Sequence, residues 1–191
     1  TETVEVKIGV SYVSIENARE NLEKETGNKS FDAVCKETYN EWNELLSKIK
    51  VEGGTTEDKT VFYTALYHTL IHPNTLNDFN GEYPEIKTGK IGKTDGTRYT
   101  VFSLWDTYRN VHQLMSLVYP QQQLDMVKSM LDMYDENGWL PKWELNSTET
   151  FTMVGDPASI VITDTYLKGI KDFDVQKAYT AMLKSADQLE N

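Results

Sequence analysis

"VEVKIGVSYVSIENARENLEKE", residues 4–25, changes its period in the middle, and that change sets the class of the fold. Val4, Val6, Ile8 and Val10 alternate with polar or small neighbours, which is the two-residue period of a half-buried strand. Ser14 then stands where an N-cap belongs, and the acidic run behind it reads as a short helix ended near Gly27. Working outward, Ser30 opens a second helix with Phe31, Val34, Cys35, Trp42, Leu45, Leu46 and Ile49 on one stripe. Gly53-Gly54 interrupts the chain, Thr55 or Thr56 can cap a third helix over 57–71, and Pro73 terminates it.

From 74 to 101 the punctuation changes. Asn80-Gly81, Thr88-Gly89 and Asp95-Gly96 break up short stretches holding Tyr83, Ile86, Ile91 and Tyr99, which predicts an irregular excursion with a small β-hairpin near 80–101. Helices resume over 104–118, 121–135, 157–169 and 174–189, with an aromatic loop, "NGWLPKWELNSTETFTMVGD", at 137–156. The expected class is therefore mainly α, preceded by one strand.

Composition narrows the partners. With 191 residues the chain suits one compact domain. Its 19 basic and 30 acidic residues give a net charge of −11 spread along the chain, which argues against nucleic acid and anionic lipid and leaves neutral, polyhydroxylated or cationic ligands. A single cysteine, Cys35, excludes an intrachain disulfide and a cysteine-built zinc site. No apolar run approaches the roughly 20 residues of a membrane span, and the first residues lack the basic start and apolar block of a secretory signal. The chain begins without Met in what reads as mid-strand, as a piece cut from a longer protein would.

Two stretches carry candidate chemistry. In "FSLWDTYRNVHQL", residues 102–114, Leu104, Tyr108, Val111, Met115 and Val118 form a packing stripe, while Trp105, Asp106 and Arg109 fall on a neighbouring face. The latter are either a helix-start carboxylate paired with Arg109 at i, i+3, or the wall of a site. In the loop that follows, Trp139 reads as a core anchor, whereas Trp143 and Glu144 combine an aromatic platform with an acceptor for hydroxyls, as carbohydrate binding requires. Other patterns are weaker. "NDFNGEY", 77–83, is oxygen-rich but lacks the leading acid and distal glutamate of an EF-hand. His68, His72 and His112 have no metal-ligand spacing, and there is no phosphate loop, GxSxG elbow or Cys/His pairing.

Taken in order, "FYTALYHTLIHPN", "FSLWDTYR", "GWLPKWEL", the Glu149-Thr150 pair and "MVGDPA" resemble glycoside hydrolase family 92, the calcium-dependent exo-acting α-mannosidases of Bacteroides-type gut bacteria. The resemblance implies an N-terminal β-sandwich followed by an (α/α)6 toroid. Residues 1–13 would then end the sandwich, 14–52 would be linker helices, and 53–191 would form the first part of the toroid. It further implies hydrolysis with inversion, for which acid and base carboxyls stand roughly 6.5–9.5 Å apart. The blocks carrying the family's acid, its base and, by the same resemblance, most Ca2+ ligands are absent from these residues, so no catalytic residue is expected here.

What the resemblance does assign is substrate holding: Asp106 would accept bonds from mannose hydroxyls beside Trp105, with Arg109 orienting Asp106. Trp143, Glu144 and Asp156 would approach the same pocket, supported by Glu149; Pro157 follows Asp156 where many relatives carry a polar residue. Implied partners are mannose-containing glycans and the rest of the parent chain, in a periplasmic, cell-surface or secreted setting. An incomplete toroid leaves apolar helix faces open, so self-association is expected. The alternative is a non-catalytic helical carbohydrate-binding or interaction module.

Overall fold

The structure, a computed structural model, describes residues 4–187. The expected strand start at 1–3 and helix end at 188–189 lie outside them. The chain divides into two units, one running to Ile71 with Asp78–Asn80 added, the other taking His72–Asn77 and the chain from Gly81 onward.

The first unit carries α1 (Ile15–Glu25), α2 (Phe31–Leu46) and α3 (Thr56–Thr69). Each begins at the residue whose side chain can receive an orphan helix N–H: Ser14 from Asn17, Ser30 from Ala33, and Thr55 from Asp58 in a full capping box. α1 buries amides rather than an apolar stripe. Asn17 and Asn21 are buried, and together with the Ser11 hydroxyl they donate to the Asp78 carboxylate at 2.8, 2.7 and 2.6 Å. Asp78, one of two acidic residues in the oxygen-rich 77–83 stretch, is thus held by neutral donors of this chain.

Two expectations change in this unit. Val4, Val6, Ile8 and Val10 are exposed and residues 4–13 form no ladder; alternation selects a face, but a strand also needs a partner offering N–H and C=O groups, and none of the described residues supplies one. The α2 stripe is not buried either, apart from partial cover such as Trp42 against Tyr67 at 4.7 Å.

In the second unit β1 (Asn74–Thr75) pairs with β4 (Tyr99–Thr100), β2 (Glu82–Pro84) pairs with β3 (Ile91–Lys93), and β5 (Phe102–Ser103), β6 (Trp143–Leu145) and β7 (Thr148–Glu149) form a third antiparallel sheet. Its helices are α4 (Leu104–Thr107), α5 (Val111–Val118), α6 (Pro120–Asn137), α7 (Pro157–Leu167) and α8 (Val175–Ala186). α6 is the axis of this core. Proline at its first turn and Gly138 in the left-handed region at its end (φ 83°) fix its limits, and Leu124, Met126, Val127, Met130, Leu131 and Met133 are buried along it.

The excursion predicted near 80–101 is bound to α6 through one buried guanidinium. Arg98 donates to Glu136 Oε2 at 2.9 Å and to the Ser129 carbonyl at 3.4 Å, lies 3.7 Å from Asp132 Oδ2, and stacks over the Tyr83 ring at 4.5 Å. Glu136 also accepts from Tyr83 Oη at 3.1 Å and from Ile86 N at 2.8 Å. Removing Arg98 would leave Glu136 half-enclosed among donors without its counter-charge. We expect Arg98→Met to destabilise the chain by about 3–5 kcal/mol in urea unfolding, the range for breaking a buried pair from one side.

Candidate functional site

The helix expected over 104–118 is broken after α4. Asn110 has φ −155°, and the Gln113 side-chain amide donates to the Tyr108 carbonyl at 2.8 Å, replacing the backbone N–H that a continuous helix would bring there. The break changes the geometry of the Trp-Asp block. Asp106 and Arg109 form no ion pair; Asp106 Oδ2 instead accepts from Ser103 Oγ at 2.6 Å, and Arg109 Nε donates to the Trp105 carbonyl at 3.2 Å. The Arg109 guanidinium carbon stands 4.9 Å from the Trp105 ring centre and 5.1 Å from that of Tyr108, so Arg109 supports the aromatic face rather than the carboxylate. Asp106 is exposed, and Trp105 is half-buried.

Antiparallel pairing carries this block to the second one. Ser103 lies opposite Trp143 and Phe102 opposite Glu144. Thus the serine whose hydroxyl holds Asp106 is the ladder partner of Trp143, and directly opposed residues of an antiparallel pair point to the same face of the sheet.

Glu144 has a different place from the one expected of a sugar acceptor. It is fully buried, and it accepts from Thr100 Oγ1 at 2.8 Å, Val101 N at 2.9 Å and Ser147 N at 2.6 Å. Both amides belong to residues with left-handed backbone, Val101 at φ 61° and Ser147 at φ 63°. A β-branched residue there is strained, and Asn146-Ser147, both at positive φ, close the β6–β7 hairpin without the usual glycine. Glu144 therefore holds two unfavourable turns in place, and burial raises its pKa above the ordinary carboxylate range. Glu149 performs a similar task, accepting the backbone N–H groups of Lys142, Trp143 and Phe151 at 2.8, 3.1 and 2.7 Å.

Asp156 caps the start of α7 by position only; its carboxylate takes the Ser159 hydroxyl. With Trp139, Lys142 and Phe151 it lines a cavity of about 240 Å³. Trp139 is half-buried there under the Lys184 ammonium, 4.5 Å from the ring centre, and is not the core anchor that its sequence context suggested. The structure thus links Asp106 to Trp143 through Ser103, sets Trp105 next to Asp106 on α4, engages Glu144 and Glu149 with this chain's own backbone, and puts Asp156 on a cavity whose lining includes none of Trp105, Asp106 and Trp143.

Sequence reasoning missed the buried partners behind the wall. His112, which its spacing set aside as a metal ligand, is wholly enclosed between Thr107 and Gln123, and its pKa is lowered to about 4 by burial. The unfolded imidazole, near 6.5, takes its proton first as pH falls, so the stability His112 contributes is complete above about pH 6.5 and is lost towards pH 4. Asp132, Glu136 and Glu144 act with the opposite sign, because burial raises their values and folding then favours their protonated forms. Comparison with His112→Gln isolates the histidine: between pH 7 and 4.5 the wild-type chain should lose about 2.5 kcal/mol more unfolding free energy than the variant, read from denaturant curves. A second expectation concerns Glu144. Glu144→Ala strips acceptors from two strained amides and a hydroxyl and should cost about 2–4 kcal/mol, with a shift in tryptophan fluorescence from Trp143.

Comparison with known proteins places the arrangement. The family model described as "Glycosyl hydrolase family 92 catalytic domain" matches residues 17–191. An α-mannosidase of glycoside hydrolase family 92 from Bacteroides thetaiotaomicron, solved in complex with mannoimidazole, superposes with a TM-score of 0.88 at 36% identity, over 94% of this chain and 24% of its own. An inverting mannosidase of the same family and species gives a TM-score of 0.88 at 30% identity, over 94% of this chain and 25% of its own. A protein of Arthroderma benhamiae described as an uncharacterized secreted glycosidase is 28% identical over 189 residues, 96% of this chain and 20% of that protein. The chain therefore spans a quarter or less of the length of these relatives.

Proposed function

The chain belongs to glycosyl hydrolase family 92, and on that premise we propose that the protein carrying it removes terminal α-linked mannose from glycans, with Trp105, Asp106 and Trp143 forming one wall of the sugar pocket. The observation that carries this reading is the Ser103–Trp143 pairing, which puts the serine holding the exposed Asp106 carboxylate on the same sheet face as the Trp143 indole, with Trp105 next to Asp106 on α4. A pyranose offers such an arrangement two kinds of surface. Its C–H face suits an indole, and its hydroxyls donate to a carboxylate whose charge strengthens each bond. Asp106 has one oxygen engaged by Ser103 and is exposed, so it can accept from a hydroxyl while its orientation is held.

The chemistry itself belongs to carboxyls elsewhere. Inversion is supported by the relative described as an inverting mannosidase; it needs a general acid and a general base on opposite faces of the sugar. Glu144 and Glu149 are unsuited to either role because their oxygens are committed to this chain's own backbone. Calcium is part of the proposal by resemblance. Its six to eight oxygen ligands would have to be assembled with other parts of the protein, since among the described residues no three Asp, Glu, His or Cys side chains converge. The relative described as secreted supports a location outside the cytoplasm, and no helix among the described residues is long and apolar enough to cross a membrane. Exposed Leu117, Val154 and Leu167 support self-association of the 191-residue chain on its own.

Asp106→Ala in the whole protein tests the reading. Losing an acceptor of charge-assisted bonds to two hydroxyls should lower turnover of α-mannosides by about 100-fold or more. Wild-type turnover in that variant would sink it, and mannose binding by the 191-residue chain without turnover by the whole protein would favour the binding-module alternative.

A further inference from the structure

Behind the Asp106 turn a chain of hydrogen bonds crosses the second unit and ends on a backbone carbonyl. Thr107 Oγ1 lies 3.0 Å from His112 Nε2, His112 Nδ1 lies 3.0 Å from Gln123 Oε1, Gln123 Nε2 lies 2.9 Å from Thr165 Oγ1, and Thr165 Oγ1 lies 2.8 Å from the Val161 carbonyl. Its direction follows from the far end. A carbonyl only accepts, so Thr165 donates to Val161 and must accept from the Gln123 amide. That turns the Gln123 oxygen towards His112, puts the imidazole proton on Nδ1, and leaves Nε2 bare to receive the Thr107 hydroxyl. Each bond along the line then runs in one sense, from Thr107 to His112, from His112 to Gln123, from Gln123 to Thr165 and from Thr165 to Val161.

We propose that His112 and Gln123 are positioning residues for the mannose-holding wall, locking the Trp105-Asp106 turn in one orientation against α7 through the Thr107 hydroxyl. This rests on the reading of Asp106 given above. The turn needs such a lock. α4 has four residues, neither its N-cap Ser103 nor the following N-cap Asn110 makes a side-chain capping bond, and the chain breaks helical geometry directly after it. Its side-chain anchors include Ser103 on Asp106 at one end, Arg109 on the Trp105 carbonyl, and Thr107 on His112 at the other end. His112, Gln123 and Thr165 are fully buried, where apolar residues of equal volume would serve packing as well. What a directed polar line adds is a single arrangement, since each member accepts only the partner facing it. The same line reaches α7, the helix that starts immediately after Asp156.

Thr107→Val in the whole protein removes the hydroxyl and keeps the volume. The expected result is a fall of about tenfold in kcat/KM for an aryl α-mannoside, carried by KM, because a slightly misplaced Asp106 holds the sugar less well before and during reaction. Thr107→Ser restores the donor and should return kcat/KM to within about twofold of wild type, which a general loss of packing would not allow. Histidine labelled with 15N should report His112 protonated on Nδ1 and bare on Nε2 at neutral pH. Wild-type kcat/KM in Thr107→Val, failure of Thr107→Ser to restore it, or a proton on Nε2 overturns the proposal. Asp106→Ala separates the two levels. If it lowers kcat/KM while Thr107→Val keeps the wild-type value, the relay alone falls; if neither variant lowers kcat/KM, the mannose-holding reading falls and takes the relay with it.

Discussion

The Arg98 guanidinium lies without solvent contact in the core of the second unit, and the position of the candidate wall descends from it. Desolvating Arg98 is tolerable only with counter-charges and acceptors at hand. Glu136 and Asp132 on α6 supply the charges, Ser129 supplies a carbonyl, and Tyr83 supplies a ring face. The backbone of Arg98 is tied in turn to Asn77 and Leu76. Because the excursion is held on α6 at this point, the next residues have little freedom: Tyr99 N donates to Ser129 Oγ, Val101 turns over into left-handed geometry, and Phe102-Ser103 emerge alongside β6. The turn bearing Trp105 and Asp106 follows at once.

The acids near the wall illustrate how environment divides one functional group between tasks. Glu144 and Glu149 spend their oxygens largely on backbone amides, among them those of Val101, Ser147 and Phe151, which have left-handed backbone. Asp106 spends one oxygen on a neighbouring serine and faces water. Backbone strain at Val101, Ser147, Phe151 and Met153 is concentrated in the segments flanking the wall. Such strain persists where surrounding contacts overdetermine it, and it commonly accompanies sites that need a fixed shape.

Much of the fold was legible in the sequence because helix ends are written locally. Ser14, Ser30, Thr55 and Pro120 act at the starts where their chemistry places them, and the dense Gly-containing turns do mark short antiparallel pairs. The departures arose where a local pattern needs a distant partner. The alternation at 4–13 selects a face but meets no second strand among the described residues, and the stripe over 104–118 is cut by Gln113, whose side chain competes with the backbone for the Tyr108 carbonyl. Arg109 at i+3 from Asp106 looked like a pair on an unbroken helix; once the helix breaks, two aromatic rings are the nearer partners.

By itself the sequence determined the helical class, the cap positions, the family and the identity of the Trp-Asp and Trp-Glu blocks, because propensity, capping and motif are properties of neighbouring residues. Tertiary structure alone decided which carboxylates face water and which are buried as scaffold, that Ser103 would meet Trp143 across 40 positions of chain, and that His112 would stand between Thr107 and Gln123. Those outcomes turn on desolvation and on ladder register. Both depend on the whole packed unit, and a buried Glu and an exposed Asp are written with the same chemistry.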